Sequence, residues 1–380
     1  FDTKNVKSMG LMFYGCQSLT SLDLSSFITG NVIDMDSMFS GCYSLRSLDL
    51  SKFNATSVIN MNNMFFSCSS LKELDLSSFK TPDLLYFEST FNNCSSLERI
   101  NLQNIYTGLV TNLITLFDNC TSLKSLDLSN FNTEKVTHFG YLVRNCKSLE
   151  SINLKSFDTS SGMQFFGMFD SCISLKSLDL SNFNLENADN MNSMFYKCES
   201  LTSINMPNIK AKNTKGLNNL FSGCSSLVEI DLTNFDTKSV TSFGFMFRDC
   251  ISLKKIDISN WNTESLETVN SMFDNCTSLT SIDLSSFDTR KVGYFDNMFR
   301  NCKSLTSLDE TNFITSKAVS MSHFFDNCNS LKNIDLSNFD TIQTKNMDSM
   351  FEQCTNIKSL DLRSFNTKKC SQFYKMFEGD

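Results

Sequence analysis

A cysteine recurs every 26 residues along this chain: Cys16, Cys42, Cys68, Cys94, Cys120, Cys146, Cys172, Cys198, Cys224, Cys250, Cys276, Cys302, Cys328 and Cys354. Fourteen cysteines in register, with no insertion or deletion, leave one kind of architecture open. Identical units must stack and bury their apolar faces against one another, because no single unit can bury its own. Length alone would allow two or three globular domains in 380 residues. The register replaces that with a single solenoid domain over 1–380, of about fourteen repeats. Phe1 and Asp380 both fall in mid-repeat, so the expectation is a segment truncated at both ends.

Other columns keep the same phase. Three residues before each cysteine stands a phenylalanine, from Phe13 to Phe377, replaced only by Val143. Three residues after it comes Leu19, Leu45, Leu71 and onward to Ile357, followed by Leu22 and Leu24 and then Phe27 or its equivalents, among them Ile105, Ile209 and Trp261. Val32, Met35, Met38, Phe39 and Cys42 are spaced like one face of a short helix. Leu22, Asp23, Leu24 and Ser25 alternate apolar and polar as a half-exposed strand does. The Phe-x-Thr that follows carries Asn, Asp or Thr suited to a turn or a helix N-cap. The expected fold is an α/β repeat solenoid, a right-handed coil of one strand and one short helix per unit. Parallel strands sit about 4.8 Å apart and packed helices about 8–10 Å, so the sheet would line the concave side with the helices outside. Outer segments made of tight turns would pack closer and open the arc.

The stretch L-x-x-L-x-L-x-x-F, as in Leu45 to Phe53, resembles the strand segment of leucine-rich repeats. The full unit, V-x-x-M-x-x-M-F-x-x-C-x-S-L-x-S-L-D-L-S-x-F-x-T, is similar to the 26-residue BspA-like leucine-rich repeats, and the likeness covers the whole chain. That resemblance implies a bacterial or protist cell-surface or extracellular protein linked with adhesion and partner binding. Glu310 in place of a strand leucine, Val143 in place of the phenylalanine, and Gly162 and Thr214 in place of the valine mark local irregularities.

Several kinds of chemistry drop out. The thiols lack C-x₂-C spacing for metal, and equivalent side chains on stacked coils point the same way, too far apart for the Cβ separation of about 3.8 Å that a disulfide needs. They read as buried free thiols, with Cys370, beside Lys368 and Lys369, as the reactive exception. The phenylalanine and methionine columns read as core. His138 and His323 lie seven repeats apart, and neither a phosphate loop nor H-E-x-x-H occurs, so no catalytic residue, metal ligand or cofactor is assigned. A net charge of −8 argues against nucleic acid. No apolar run is long enough to span or insert into a membrane, and nothing reads as a signal peptide. Asn54, Asn93, Asn119 and Asn275 begin N-x-S/T sequons that a chain so rich in Asn and Ser produces by chance.

One polar column remains as a candidate binding face: Asp23, Asp49, Asp75, Asp127, Asp179, Asp231, Asp257, Asp283, Asp309, Asp335 and Asp361, completed by Asn101, Asn153 and Asn205. Like charges about 5 Å apart repel by roughly 1 kcal/mol per pair in water. Neighbouring serines such as Ser21 and Ser25, bound cations, or a basic partner could offset this, and Arg46, Lys72, Lys124, Lys176, Lys254, Lys332 and Lys358 precede their aspartates by three residues. The expected function is a non-catalytic scaffold recognising a protein or glycan on its polar sheet. The alternatives are a spacer or fibre self-associating through repeat ends, and an intracellular interaction scaffold.

Overall fold

The computed structural model describes residues 2–206, 212–309 and 312–379. These form two compact units, Phe1–Asn187 and Ala188–Asp380. Glu310 and Ile209 lie outside the described residues. Each unit is a parallel β-solenoid. The first holds β1 (Glu73–Asp75), β2 (Arg99–Asn101), β3 (Ser125–Asp127), β4 (Ser151–Asn153) and β5 (Ser177–Asp179). The second holds β6 (Ser203–Asn205), β7 (Ser281–Asp283) and β8 (Ser307–Asp309). Strands pair one repeat apart, as in Leu74 opposite Ile100, Leu126 opposite Ile152 and Ile282 opposite Leu308. The middle residue points inward and its neighbours outward, the alternation the strand pattern predicts.

The expected outer helices are not there: no helix occurs among the described residues. The run Met35 to Cys42 is instead a row of tight turns. Met38, Ser40 and Cys42 donate their N–H groups three residues back, to Met35, Ser37 and Phe39, at 3.1–3.3 Å. The alternate residues Met35, Ser37, Phe39 and Gly41 donate forward into the next coil, to the carbonyls of Asn60, Asn62, Met64 and Phe66, at 2.8–2.9 Å. An α-helix would need every N–H to bond four residues back. Two left-handed residues in each coil forbid it, here Ser37 (φ 53°) and Gly41 (φ 76°). The same pair recurs as Asn63 and Ser67, Asn219 and Gly223, and Asn297 and Asn301. Apolar spacing of three and four residues is thus shared by a helix face and by successive three-residue turns. The N-cap role expected of the Phe-x-Thr segment falls with the helices, as does the curvature argued from helix packing.

Turns that bond to the next coil sit as close as strands do, and the core shows it. Phe13, Phe39, Phe65, Phe91 and Phe117 stack with ring centroids 5.0–5.8 Å apart. In the second unit the stack runs from Phe195 through Phe221, Phe247, Phe273, Phe299, Phe325 and Phe351 to Phe377, at 5.3–5.9 Å. Val143 is buried at the one break in the column, and its N–H still reaches the next coil at Met168. At Gly162 the ring of Phe165 fills the room a valine would take. Thr214 places its buried hydroxyl on the carbonyl of Ala188, 2.8 Å away.

Among the described residues, every buried side-chain nitrogen and oxygen but Asp274 Oδ1 has a hydrogen-bond partner. Thr29 donates its hydroxyl to the carbonyl of Asn54 and accepts the N–H of Asn54, at 3.0 and 2.7 Å. Thr159 and Thr341 treat Asn184 and Asn366 the same way. Buried thiols donate to carbonyls of the preceding coil, Cys68 to Phe39, Cys94 to Phe65 and Cys276 to Phe247, at 3.1–3.2 Å. All fifteen cysteines are free. Burial pushes the Cys42 thiol up to about 11 and that of Cys94 to about 12. Cys370 is partly exposed, and Cys16, not singled out by the sequence, is exposed.

Two outcomes follow. A thiol reagent should titrate Cys16 and Cys370 in the native protein and the remaining thirteen only in denaturant; fast native reaction of more than two would contradict the thiol ladder. At Asn145 (φ 57°), Asn145→Val should lower the unfolding free energy in urea by about 1–2 kcal/mol, while Asn145→Gly should leave it nearly unchanged.

Candidate binding face on the sheet

The aspartate column lies at the last residue of each strand position, and all eleven side chains named above are exposed. Ten of the eleven close a local turn. Asp23 Oδ1 accepts the N–H of Ser25 at 2.9 Å, and Asp49, Asp75, Asp127 and Asp179 accept those of Ser51, Ser77, Ser129 and Ser181 at 2.8–3.0 Å. Asp231, Asp257, Asp283, Asp335 and Asp361 do likewise at 2.9–3.1 Å. Asn101 and Asn153 accept from Gln103 and Lys155 at 3.2 Å. This is the Asx-turn, in which a short side chain takes the N–H two residues on. It explains why asparagine substitutes for aspartate here and glutamate does not.

The same bond addresses the electrostatic problem of the column. Hydrogen bonds from Ser25, at side chain and backbone, hold the Asp23 carboxyl below the usual carboxylate range. Asp49, Asp75, Asp127, Asp231, Asp257 and Asp335 are lowered by the same pair of donors, from Ser or Thr two residues on. Repulsion between neighbours acts in the opposite sense, Asp23 on Asp49 and Asp231 on Asp257, and is the smaller effect. The cations that act on the column follow their carboxylates: Lys52 on Asp49, and Arg363, which bonds Asp361 and lowers it to about 2.

Where strands pair, this face forms shallow troughs. In the first unit one is lined by Glu73, Asp75, Arg99, Asn101, Ser125 and Asp127, with Arg99 and Glu73 ion-paired across the strands. In the second, Ser281, Asp283, Ser307, Asp309, Asn333 and Asp335 line another. Both are open and rimmed by polar side chains, suited to a ligand rich in hydrogen-bond groups. His138 lies in the first unit and His323 in the second. The Asx-turns were within reach of sequence reading. Asp or Asn followed two residues later by Ser or Thr recurs at the strand end, and a second Asx column (Asn54, Asn132, Asp236) precedes the outer row.

Comparison with known proteins agrees with the repeat. The sequence model of the family described as Mycoplasma protein of unknown function, DUF285, matches residues 1–104, 86–209, 215–313 and 295–380. No curated protein matches the chain. Among solved structures, a leucine-rich repeat protein from Bacteroides ovatus is 19% identical over 88% of this chain and 80% of that one, with a TM-score of 0.44. A leucine rich cell surface protein from Faecalibacterium prausnitzii is 17% identical over 79% and 75%, with a TM-score of 0.39. A leucine-rich repeat protein from Eubacterium ventriosum is 16% identical over 94% and 82%, with a TM-score of 0.32. These are likenesses to leucine-rich repeat chains. The 26-residue unit, with its stacked phenylalanines and paired three-residue strands, resembles the BspA-like leucine-rich repeats. With four successive matches that together cover nearly all of its length, the chain belongs to the DUF285 family of Mycoplasma proteins.

Proposed function

We propose that the chain is a non-catalytic binding scaffold of the cell surface, one solenoid domain of about fourteen repeats that recognises a protein or glycan on its polar sheet face. The observation that carries this reading is the trough of exposed Asp, Asn and Ser side chains over the paired strands. Backbone turns pre-orient the carboxylates of Asp75, Asp127, Asp283 and Asp335, so binding orders few side chains and loses little entropy. A partner suited to such a face offers clustered hydroxyls or cationic side chains. The surface location is taken from the kind of protein the repeat resembles, and among the described residues no helix is long and apolar enough to cross a membrane. A second reading, a structural spacer or self-associating fibre, is supported by monotony: Ser-Leu-Asp or Ser-Ile-Asn or Ser-Ile-Asp makes up six of the eight strands.

A charge-only variant separates the two. In the fourfold variant Asp75→Asn, Asp127→Asn, Asp231→Asn and Asp283→Asn, asparagine keeps the Asx-turn, as it does at Asn101. On arrayed glycans and arrayed extracellular proteins, the wild-type chain should bind a limited set, and the variant about tenfold more weakly or worse. Absence of any ligand, or binding unmoved by the variant, would end the sheet-face reading in favour of the spacer. The fold should survive the change at pH 7. In acid the two should part. A carboxyl held low in the folded state stabilises above its unfolded value of 3.8 and loses that contribution as pH falls through its folded value. The melting midpoint of the wild type should therefore drop from about pH 4 downward, and that of the variant less steeply.

A further inference from the structure

The outer turn row of the second unit carries a column of charges that the binding face does not use. Arg248, Asp274, Arg300 and Asp326 alternate in sign from coil to coil, with Arg248 3.5 Å from Asp274 and Arg300 3.6 Å from Asp326. The alternation stops at Glu352, which places a second carboxylate on the coil after Asp326. At this same point His323 occupies the left-handed position held by Ser or Asn in most other coils. Its Nδ1 lies 2.9 Å from Asp326 Oδ2. One donor atom each from His323, Asp326 and Glu352 falls within 4.8 Å of the other two, the one such convergence among the described residues. The side chains are 38%, 15% and 19% exposed, open enough for an ion to enter and enclosed enough to hold the donors.

We propose that His323, Asp326 and Glu352 form a binding site for a divalent transition-metal ion of the zinc type, with a fourth position left open to water or a partner's side chain. One imidazole nitrogen and two carboxylates are the donor set of such ions, at about 2.0–2.2 Å from the metal. Calcium takes six to eight oxygens and would find too few. Donors around a tetrahedral ion sit roughly 3.3 Å apart, so rotation of the long Glu352 side chain closes the present separation. The backbone beneath is fixed, with His323 N–H bonded to the carbonyl of Asp348 at 2.8 Å in the next coil. Charge permits the ion. Asp326, Glu352 and Glu378 outnumber Arg300 and Lys375, and Lys375 keeps Glu378, 2.9 Å away, as its partner when Glu352 turns to the metal. The sequence carries no metal-site spacing here because the third donor arrives from the following coil, 29 residues after His323.

The test is calorimetric titration of ZnCl₂ into the whole chain carrying Cys16→Ser and Cys370→Ser, which removes the two accessible thiols. One equivalent should bind, with at least about tenfold loss of affinity in His323→Ala and in Glu352→Gln. Metal-free melts by circular dichroism should match the parent, and His323→Gln serves in place of His323→Ala should the latter not fold. Absence of saturable zinc binding at millimolar ion, or zinc binding that both variants leave unchanged, overturns the site. Calcium binding equal to zinc and indifferent to His323 overturns it as well, since that describes an acidic surface alone.

Discussion

The structure rests on one backbone arrangement: alternate N–H groups of the outer row bond within the coil and into the next. The forward bonds, from Phe39 to Met64 and from Gly41 to Phe66 and their counterparts in both units, tie coil to coil on the side away from the sheet. Bridge pairs such as Ser8 with Asp34 and Asp34 with Asn60 add a further point of attachment per coil. Because these are backbone bonds, the outer side has a spacing close to that of a parallel sheet. Ring stacking along the phenylalanine column near 5–6 Å is a consequence. Helices would have held those rings much farther apart.

That arrangement sets polar demands which the side-chain columns meet. A coil without helix has carbonyls and amides at its bends that neither ladder serves, and a buried unpaired group costs about 1–3 kcal/mol. Threonine takes one bend, offering a donor and an acceptor to the same residue of the next coil. Cysteine takes another, with a thiol small enough for the core and a weak donor for a phenylalanine carbonyl. Aspartate and asparagine close the turns that reach solvent. Side chains repeated every 26 residues are therefore repeated because the backbone groups they satisfy are repeated. Asp274 is the exception, with one oxygen buried and without a partner among the described residues. Burial raises its pKa, while Arg300 and Arg248 pull it the other way.

The two candidate sites differ in how they stand to this framework. The sheet face is part of it: its carboxylates serve the turns first and are available to a ligand because the turns point them outward. It was legible in sequence as a period-two alternation with aspartate on the exposed side. The histidine–carboxylate cluster departs from the framework, with His323 replacing a turn residue and Glu352 breaking a charge alternation. Sequence reading passed over it because His323 and Asp326 are three apart while Glu352 is one coil away.

What the sequence alone determined was the repeat, its phase, the inward columns and the free state of the thiols, since each follows from identical units stacked in register. It also contained, unread, the case against helices. Gly15, Gly41, Asn93, Asn119, Asn145 and Asn301 stand one residue before their cysteines, where left-handed backbone is needed. Apolar spacing could not decide the matter, because three-residue turns and a helix place Met35, Met38, Phe39 and Cys42 on the same side. Only the tertiary structure decided it, and the reason is competition for the same N–H groups. In a lone segment they can bond four residues back, but in a stack the carbonyls of the next coil are within reach, and bonding to them also brings the cores of the two coils into contact.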